Sequence, residues 1–505
     1  MNGYEGNRTL RGGHIAIRSE ERSLSYAQLH DRASRLAQVL AAEGLSEGDR
    51  LAIMMPNLVE FVECLASSAK LGCAALSVNF HLAPAELAHV LSDSQASMLI
   101  AHVDLKDVVA TAEPACPVIF VGDETADGYE ARLASASSEP VEYLWPAPWP
   151  VIYTSGTTGR PKGVVHGALA SAEVLAYSQN MLTQMWGYTD QDIHLVAGPL
   201  YHGGPQGYAN LTLFAGGTVV LMDKWDAREF CRLVEQYQVT TTFLTPAHFI
   251  RLLELPPQDL AEFDLTSLRH VLHAGAPCPV SVKLRMIDAL PQAEIWEFYG
   301  MSEGGATRVS PEEFKEHPGT VGQPWPGVEL QILDPDTKEV LPAGQTGLVY
   351  VKPAFGRFHY HEDEAKTQEA WIADSFTVGD IGHLDSAGWL YLTDRHVDLV
   401  IKGGVNIYPR QIEEVLHQHP QVVDCAVFGI PNERDGEHLH AVVELRPSQS
   451  QATPQELQEF CASHLDRWSC PDSFEIIDQL PRDPNGKVLK RVLRQQAWSE
   501  AGRKI

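Results

Sequence analysis

Apolar and polar positions between residues 25 and 103 follow helical and strand periods in turn. A helix is predicted after Ser25, its N-cap, because apolar side chains recur three or four positions apart. Those side chains are Tyr26, Leu29, Ala33, Leu36 and Leu40. Further helices are predicted over 59–71 and 84–91, and strands over 50–55 and 97–101. Alternation of this kind predicts parallel sheets covered by helices.

The same alternation returns between residues 191 and 300 and then gives way to shorter segments. The strands predicted in this region cover 193–197, 218–222, 240–244, 269–273 and 294–298. From 321 to 392, short alternating segments separated by Gly and Pro turns indicate a small β-barrel region.

Past Asp394 the pattern becomes that of a small α+β domain. Helices are predicted over 409–417 and 454–465, and strands over 424–429 and 440–445, with one more strand after them. The fold class that we expect is therefore α/β: a large N-terminal domain of parallel sheets with the barrel region, followed by a small α+β domain.

The run from Tyr153 to Val164 concentrates hydroxyls, glycines and one lysine, Lys162. Glycines let backbone N–H groups point inward as an anion nest, to which hydroxyls and the lysine add donors and charge. A strand is predicted over 149–153 and a helix from Gly167 onward, so the run is placed between the two. The run could cradle a polyphosphate, and the alternative is a flexible linker. The spacing of the Walker motif is absent.

Composition narrows the class of protein. A chain of 505 residues with 44% hydrophobic content is long enough for two or more domains. A formal charge of −28 argues against nucleic acid or an anionic membrane as a general partner.

The cysteines and the N-terminus indicate the compartment. Eight scattered cysteines show no paired spacing typical of a zinc or redox site and are expected to be reduced and mostly buried. No export signal is recognised in residues 1–13, and the most apolar stretch, residues 51–66, is interrupted by Pro56, Glu60 and Glu63. We expect a soluble cytoplasmic enzyme.

The run at 153–164 resembles the signature loop of the adenylate-forming superfamily, which includes acyl-CoA synthetases, adenylation domains of peptide synthetases and beetle luciferases. Further motifs follow in that family's order along nearly the whole chain. The resemblance implies an adenylation body at 1–396 and a mobile C-terminal lid domain at 397–505, with the boundary at Asp394 to His396. It is greatest to acyl-CoA synthetases, which join a carboxylic acid to AMP from ATP and then transfer the acyl group to the thiol of CoA.

The resemblance assigns the triphosphate to the hydroxyl-rich run. Its expected contacts are Thr154, Ser155, Gly156, Thr157, Thr158, Gly159 and Lys162.

The motif at 297–303 is assigned the adenine, the α-phosphate and the metal. Tyr299 and Gly300 are expected at the purine, Ser302 at the α-phosphate, and Glu303 at Mg²⁺, which prefers oxygen ligands. The turn at 273–277, with Gly275 and Ala276, resembles the other wall of the adenine slot. Outside this order, Tyr299 would be interpreted as a core aromatic and Glu303 as a solvated loop residue.

Two motifs resemble the ribose-binding pair. Asp380 ends the motif at 377–380, and Arg395 follows Asp394. A carboxylate accepts two hydrogen bonds from vicinal hydroxyls, and a guanidinium adds fixed donors. The alternative for Asp380 is an ordinary turn aspartate.

The C-terminal motifs carry the expected catalytic lysine and a thiol tunnel. Lys487, in the Pro- and Gly-rich segment 480–488, is expected to neutralise the attacking carboxylate and the α-phosphate. Gly403 and Gly404 resemble the loop that lines the pantetheine tunnel, and a tight β-turn is equally compatible. The family's hinge position often carries Asp or Lys, and here it is Val397.

The segment at 198–208 resembles the border of the acyl pocket. His202 either gates the carboxylate or packs as a core histidine. Amino-acid-activating relatives place an aspartate where Gly203 stands, so an acid without an α-amine is expected, and Gly203 and Gly204 are expected to leave room for bulk. The other candidate pocket residues are Trp186, Tyr208, Gly275, Phe298, Met301 and Thr307.

Three hypotheses follow for function. The first is an acyl-CoA synthetase that uses ATP, Mg²⁺ and coenzyme A. The second is a stand-alone enzyme that loads the phosphopantetheine of a carrier protein. The third is an inactive paralogue that only binds nucleotide. Fatty, aryl and polycyclic acids all remain possible substrates.

Overall fold

The computed structural model describes residues 4–145, 148–155, 161–167, 171–354, 356–395, 398–432, 434–447, 451–484 and 486–500. The chain divides into two compact units. The first unit comprises Met1–Phe243, Ala261–Val271 and Phe355–Glu369. The second comprises Leu244–Leu260, Leu272–Ala354 and Ala370–Ile505. His396 and Val397 lie outside the described residues, so the expected boundary and hinge there stay predictions.

The helices are distributed along the whole chain. They are α1 Tyr4–Arg11, α2 Tyr26–Ala42, α3 Val59–Leu71, α4 Pro84–Asp93, α5 Lys106–Ala112, α6 Tyr129–Ser135, α7 Ala172–Trp186, α8 Gly203–Ala215, α9 Ala227–Tyr237, α10 Pro246–Leu253, α11 Pro257–Leu260, α12 Val280–Ala289, α13 Pro311–Glu316, α14 Glu364–Ala370, α15 Pro409–Leu416, α16 Pro454–His464 and α17 Lys490–Glu500. A short 3-10 turn, Val103–Leu105, precedes α5.

The strands alternate with these helices in the N-terminal half and dominate the later part. They are β1 Ile15–Arg18, β2 Ser23–Ser25, β3 Arg50–Met54, β4 Ala74–Ser77, β5 Met98–His102, β6 Val118–Val121, β7 Val151–Ser155, β8 Pro161–Val165, β9 Ile193–Val196, β10 Thr218–Leu221, β11 Thr241–Leu244, β12 His270–His273, β13 Glu294–Met301, β14 Gly304–Val309, β15 Gln323–Pro324, β16 Glu329–Leu333, β17 Gly347–Lys352, β18 His359–Tyr360, β19 Trp371–Ile372, β20 Ser375–Phe376, β21 Asp380–Leu384, β22 Leu390–Arg395, β23 Val400–Lys402, β24 Val405–Ile407, β25 Val422–Asn432, β26 Gly436–Leu445 and β27 Ser473–Ile477.

The first unit is built on largely parallel sheets. One sheet has the strand order β18-β8-β7-β4-β3-β5-β6, in which β7, β4, β3, β5 and β6 pair in parallel. In the other, β11, β9, β10 and β1 pair in parallel and β2 is antiparallel to β1. Since parallel strands need crossover helices, the observed pairing confirms the α/β class predicted from the alternation.

Local chemistry explains where the predicted helices begin and end. Ser25 and Gln28 form a capping box at the start of α2, and the apolar face predicted for this helix is buried. Helix α3 has the predicted bounds and ends at Gly72, whose φ of +68° provides the left-handed C-cap.

The second unit is mostly antiparallel. Strand β14 pairs with β13 and β15. The region predicted to resemble a barrel forms a sheet of order β19-β20-β17-β21-β22, with β16 on β17. Near the C-terminus the order is β24-β23-β26-β25, and β27 adds to β26 in parallel. Helix α17, which the sequence pattern did not predict, packs through Leu493 on the apolar face of β25 and β26.

None of the described helices combines the length and apolar character that crossing a membrane requires. All eight cysteines are free thiols, and six of them are buried. The expectation of reduced, mostly buried cysteines is therefore confirmed.

Candidate active site

Asp380 and Arg395 lie directly opposite each other in the second unit. Asp380 begins β21 and Arg395 ends β22, and the register of these antiparallel strands pairs the two residues. The Arg395 Nε donates to Asp380 Oδ1 over 3.2 Å, and Asp380 is buried. The structure thus brings together the two residues that the sequence assigned to one ligand group.

Tyr299 on β13 completes this arrangement. Its hydroxyl donates to Asp380 Oδ2 over 2.6 Å. Burial, with the charge of Asp380 next, raises the pKa of Tyr299, so the phenol stays protonated and remains a donor. Each Asp380 oxygen accepts one protein hydrogen bond and keeps lone pairs for a ligand.

Lys487 lies on a tight loop whose backbone is held by its own side chains. The N–H of Lys487 donates to Asp483 Oδ1 over 2.9 Å, and the N–H of Asp483 donates to the Lys487 carbonyl over 2.9 Å. Arg482 Nη1 donates to the carbonyl of Gly486 over 3.0 Å. Asn485 lies outside the described residues. These bonds fix the backbone from which the lysine side chain extends.

Arg395 is the charged neighbour with the largest effect on Lys487. The Arg395 guanidinium, with burial next, lowers the pKa of Lys487 to about 8. The carboxylates of Asp483, Asp380 and Asp398 act in the opposite direction and do not offset that effect. An ammonium beside a guanidinium is destabilised unless an anion arrives, so the arrangement favours an anionic ligand here.

Ser302 and Glu303 form the turn between β13 and β14. In this hairpin Met301 lies opposite Gly304, and Gly300 lies opposite Gly305. Among the described residues no group of three or more His, Cys, Asp or Glu side chains is placed to hold a metal ion. One carboxylate at a turn fits a magnesium ion that takes most of its ligands from water and substrate phosphates.

Gly275 and Ala276 lie in the turn after β12, which ends at His273. Gly275 has φ of +89°, and a Cβ there would meet only the Thr245 Cγ2 at 3.8 Å. A glycine is therefore needed for the backbone conformation rather than by close packing. The turn is shaped as the sequence predicted, and its role as a wall for adenine stays a prediction.

A buried ion pair supports the strand that carries Tyr299. Lys283 Nζ lies 2.7 Å from Glu297 Oε2, and both side chains are almost fully buried. His273 Nε2 lies 3.6 Å from the same oxygen, and burial holds the pKa of His273 well below its usual value. The Lys283 ammonium also lies 3.8 Å from the centre of the Phe314 ring. The sequence motifs did not reveal this pair, although a lysine on the apolar face of α12 was a signal for it.

Asp394 has a structural role. Its Oδ1 accepts the N–H of Arg395 over 2.8 Å, and its Oδ2 accepts the N–H of Arg410 over 3.0 Å, in the first turn of α15. A carboxylate at a helix N-terminus is favourable, so Asp394 stabilises the start of α15.

The hydroxyl-rich run lies in the first unit and joins two strands. Strand β8, antiparallel to β7, precedes any helix, and α7 starts only at Ala172, so the expectation of a helix from Gly167 onward is corrected. Gly156, Thr157, Thr158 and Gly159 lie outside the described residues. Thr154 and Ser155 end β7, and their side chains lie outside the description too. The triphosphate cradle stays a prediction.

Lys162 is on β8 and already has a carboxylate partner. Its Nζ lies 3.1 Å from Asp363 Oδ2, and both residues belong to the first unit. The N–H of Lys366, with Lys162 next, lowers the pKa of Asp363. A phosphate at Lys162 would compete with this carboxylate.

Trp186 and Tyr208 belong to a buried aromatic cluster of the first unit. Their rings meet edge to face at 6.1 Å, and Tyr208 stacks on Phe243 at 5.6 Å. His202 is the N-cap of α8, and Gly203 is its first residue. Both candidate wall aromatics are therefore nearly fully buried, and they pack against neighbouring rings.

The two glycines at the start of α8 differ in how much space a side chain at each position would have. A Cβ on Gly204 would lie 2.5 Å from Phe243 Cζ, and a Cβ on Gly203 would lie 3.2 Å from Ile152 Cδ1. The expectation that both leave room for bulk is thus wrong at Gly204, because the Phe243 ring fills that space.

The remaining pocket candidates lie in the second unit. Phe298 on β13 packs against Trp325, with ring centres 6.1 Å apart. Thr307 lies opposite Tyr299, is fully buried, and its hydroxyl donates to the Val321 carbonyl over 2.5 Å. These contacts favour a structural role for Thr307.

Gly403 and Gly404 form the two-residue turn of the β23–β24 hairpin. Both have positive φ, +58° and +82°, which a type I′ hairpin turn requires. The Trp468 side chain packs within 3.3 Å of where a Gly403 Cβ would lie. The β-turn alternative is confirmed, and the tunnel role stays a prediction.

A family model described as AMP-binding enzyme matches residues 6–355, and one described as AMP-binding enzyme C-terminal domain matches residues 411–487. A fatty acid–[acyl-carrier-protein] ligase, ScoC of Streptomyces coeruleorubidus, is 33% identical over 97% of this chain and 95% of its own. The long-chain-fatty-acid–CoA ligase FadD13 of Mycobacterium tuberculosis is 32% identical, covering 94% of this chain and 93% of its own.

Solved structures show the same fold. The crystal structure of ATP-bound MatB from Rhodopseudomonas palustris superposes with a TM-score of 0.86 at 29% identity, over 98% of this chain and 99% of that one. The large N-terminal and small C-terminal parts expected from the sequence agree with this architecture.

Proposed function

Because this chain belongs to the AMP-binding enzyme family, part of the adenylate-forming superfamily, we propose that it joins a carboxylic acid to AMP from ATP, releasing pyrophosphate. The acyl group is then transferred to the thiol of coenzyme A, and AMP is released. The observation that carries this proposal is the arrangement of Tyr299, Asp380 and Arg395 beside the charge of Lys487. It joins a diol acceptor, an aromatic ring and an anion site in one unit.

The nucleoside would be held by Asp380 and Tyr299. Asp380 keeps one free lone-pair direction on each oxygen, and these accept the two ribose hydroxyls. Tyr299, positioned by its hydrogen bond to the same carboxylate, offers its ring face to adenine. Arg395 donates a hydrogen bond to the same carboxylate from the other side.

Lys487 would stabilise the adenylation transition state. The attacking carboxylate and the α-phosphate repel each other, and an ammonium between them offsets that repulsion. Its neighbour Arg395 makes an anion at this position favourable. We expect Lys487 to act in the first half-reaction, and the C-terminal domain that carries it to move away for the second.

The remaining assignments follow the sequence motifs. Ser302 would contact the α-phosphate and Glu303 would bind Mg²⁺ at the hairpin turn, while the run at 154–162 would hold the β- and γ-phosphates. The cofactors of the proposed reaction are ATP, Mg²⁺ and coenzyme A. The Mg²⁺ would offset phosphate charge when bound.

The substrate would be an acid without an α-amine. Gly203 begins α8 at the position where amino-acid-activating relatives carry an aspartate, so no carboxylate is offered to an ammonium there. ScoC and FadD13 are both fatty-acid ligases, which makes a fatty acid the first substrate to test.

A carrier protein is the second candidate acceptor. ScoC is a ligase of the acyl-carrier-protein type, and its similarity to this chain covers nearly all of both proteins. The phosphopantetheine thiol is common to CoA and to a holo-carrier, so the same chemistry serves both acceptors.

A pyrophosphate-release screen over fatty, aryl and polycyclic acids tests the proposal. Each acid is assayed with ATP and Mg²⁺, in the presence of CoA or of a holo-carrier protein. Release that depends on one acid class and yields a thioester of CoA supports the proposal, and thioester on the carrier alone supports the second acceptor. No turnover with any acid, together with tight ATP binding, would support the inactive paralogue instead.

A further inference from the structure

Helix α10 presents one continuous stripe to the C-terminal part of the second unit. Ala247, Arg251 and Glu254 are four and three positions apart, so they share a face of the helix and its C-cap. Each contacts a different point of the C-terminal segment, and all the residues involved belong to the same compact unit.

The first contact is steric and involves the lysine loop itself. A Cβ built on Gly486 would lie 2.5 Å from the Ala247 Cβ, so the loop backbone lies directly on the first turn of α10. Only a small side chain at position 247 permits this approach. Gly486 immediately precedes Lys487, so this contact fixes the distance between the backbone of the lysine loop and α10.

The second contact is an ion pair that continues into the loop. Arg251 Nη1 lies 2.9 Å from Glu444 Oε1 on β26. The other oxygen of Glu444 accepts the N–H of Leu480 over 3.1 Å and lies 3.3 Å from Arg482 Nη2. Arg482 also lies 2.6 Å from Asp424. Arg251 is thus joined through Glu444 to Leu480 and Arg482, the two ends of the short segment that leads into the lysine loop.

The third contact lies one turn further along. Glu254 forms an ion pair with Arg446, which also lies on the C-terminal side, just after β26. Arg446 Nε donates in addition to the Pro420 carbonyl over 3.2 Å. The stripe therefore combines one steric contact with two charge pairs, an arrangement that specifies position as well as affinity.

We propose that Ala247, Arg251 and Glu254 form a docking stripe that positions Lys487 for the adenylation half-reaction and has no part in thiol transfer. This inference rests on the proposed function, because it assigns the stripe to one of the two half-reactions. Ala247, Arg251 and Glu254 are positioning residues: they act through the lysine loop and contact no reacting atom.

Two substitutions test the stripe in the full-length enzyme. Ala247→Leu places a branched side chain where Gly486 must lie, and Arg251→Met removes the charge while keeping much of the side-chain length. Each is expected to slow acid-dependent pyrophosphate exchange by about tenfold to a hundredfold, as small displacements of a catalytic group do. Thioester formation from preformed acyl-AMP is expected to stay within about twofold of wild type, since Lys487 has no role there.

Matched control substitutions distinguish loss of the docking stripe from general effects of the same chemical change. Ala110→Leu on the exposed face of α5 and Arg228→Met in the exposed pair with Glu262 make the same chemical changes elsewhere. Both controls are expected to retain both half-reactions. Arg251→Lys keeps the charge and is expected to recover part of the exchange rate. Circular dichroism establishes that each variant is folded. If Ala247→Leu does not fold, Arg251→Met alone tests the proposal.

The pH dependence of pyrophosphate exchange distinguishes displacement of Lys487 from a general loss of activity. Arg395, with burial next, lowers the pKa of Lys487 to about 8, against the carboxylates of Asp483, Asp380 and Asp398. When the lysine loop is displaced from α10, Lys487 moves away from Arg395 and its pKa rises. The alkaline limb of the kcat/KM profile should therefore move to higher pH in Ala247→Leu and Arg251→Met. A purely structural defect lowers the rate and leaves that limb in place.

Equal loss of both half-reactions in the folded variants, or no loss in either, would overturn the proposal. A wild-type enzyme that performs neither half-reaction with any acid would instead contradict the proposed function, so the two failures are distinguishable.

Discussion

Lys283 and Lys487 are two lysines of the same unit with opposite surroundings. Lys283 is fully buried, 2.7 Å from the carboxylate of Glu297 and against the ring of Phe314. Lys487 is less completely buried than Lys283, and the charge with the largest effect on it is the guanidinium of Arg395. Burial without a partner is costly, and burial beside a like charge is costlier.

The difference shows how one fold separates stability from catalysis. At Lys283 the protein supplies the counter-ion itself, so the lysine holds α12 against β13 and needs no ligand. At Lys487 the nearby carboxylates do not offset Arg395, so an arriving anion completes the site. We infer that Lys283 contributes to folding and that Lys487 is reserved for the anions of the proposed reaction.

The largest expected effect comes from Lys487→Ala. Removal of the ammonium leaves carboxylate and α-phosphate to repel each other, so pyrophosphate exchange should fall by at least about a thousandfold. Transfer from preformed acyl-AMP to the thiol should be largely spared. Both half-reactions are measured with the same enzyme preparation.

The matched control is Lys315→Ala, which removes an exposed lysine of α13 and should change neither half-reaction. If Lys487→Ala lost both half-reactions to the same degree, the assignment of this lysine to adenylation would be wrong.

Lys283→Met tests the other side of the comparison. It leaves the Glu297 carboxylate buried without its ammonium, which should lower the stability of the unit by about 3 kcal/mol, or roughly 6–12 °C in the thermal midpoint. Glu297→Gln added to Lys283→Met should recover part of the loss, because the uncompensated charge is gone. The midpoint is measured by scanning calorimetry at one fixed heating rate.

If Lys283→Met kept a normal thermal midpoint but lost much of its exchange activity, the assignment of Lys283 to stability would be wrong. Lys283 would then be part of the reacting centre rather than a support for β13.

A smaller effect is expected from Asp380→Asn. The amide keeps the size of the side chain but offers one acceptor oxygen, so the KM for ATP should rise by about tenfold. Because the Asp380 carboxylate acts to raise the pKa of Lys487, its removal should also move the alkaline limb of exchange to lower pH. Steady-state exchange over a range of ATP concentrations and pH gives both values.

Asp374→Asn, on an exposed pair with Lys352, is the control and should leave both values unchanged. An unchanged KM in Asp380→Asn would remove the ribose assignment.

Local patterns predicted much of the fold. Apolar spacing located α2 and α3 because each buries one face and carries its own terminal signals, Ser25 and Gly72. The strand β8 escaped prediction because a short run with Pro161 and Gly163 has little strand character of its own and is held by pairing with β7 and β18. Helix α17 is mostly polar and is identified only by the surface that it covers.

For the site, too, the sequence predicted part of the arrangement but not its long-range contacts. Motif order predicted that Asp380 and Arg395 serve one ligand group, and the β21–β22 register pairs them. Sequence could not show that the Tyr299 hydroxyl donates to Asp380, or that Ala247 lies under Gly486, because such contacts join residues far apart in the chain. Phe243 beside Gly204 was hidden for the same reason.

The pH profile of pyrophosphate exchange tests most directly whether Lys487 carries an uncompensated positive charge. A lysine with its pKa lowered to about 8 loses its proton as the pH rises through that value, so kcat/KM for adenylation should fall about tenfold per pH unit above it. Lys487→Arg stays charged throughout and should show a lower rate without that limb. A wild-type profile that stays flat to about pH 10, or the same limb in Lys487→Arg, would contradict the account.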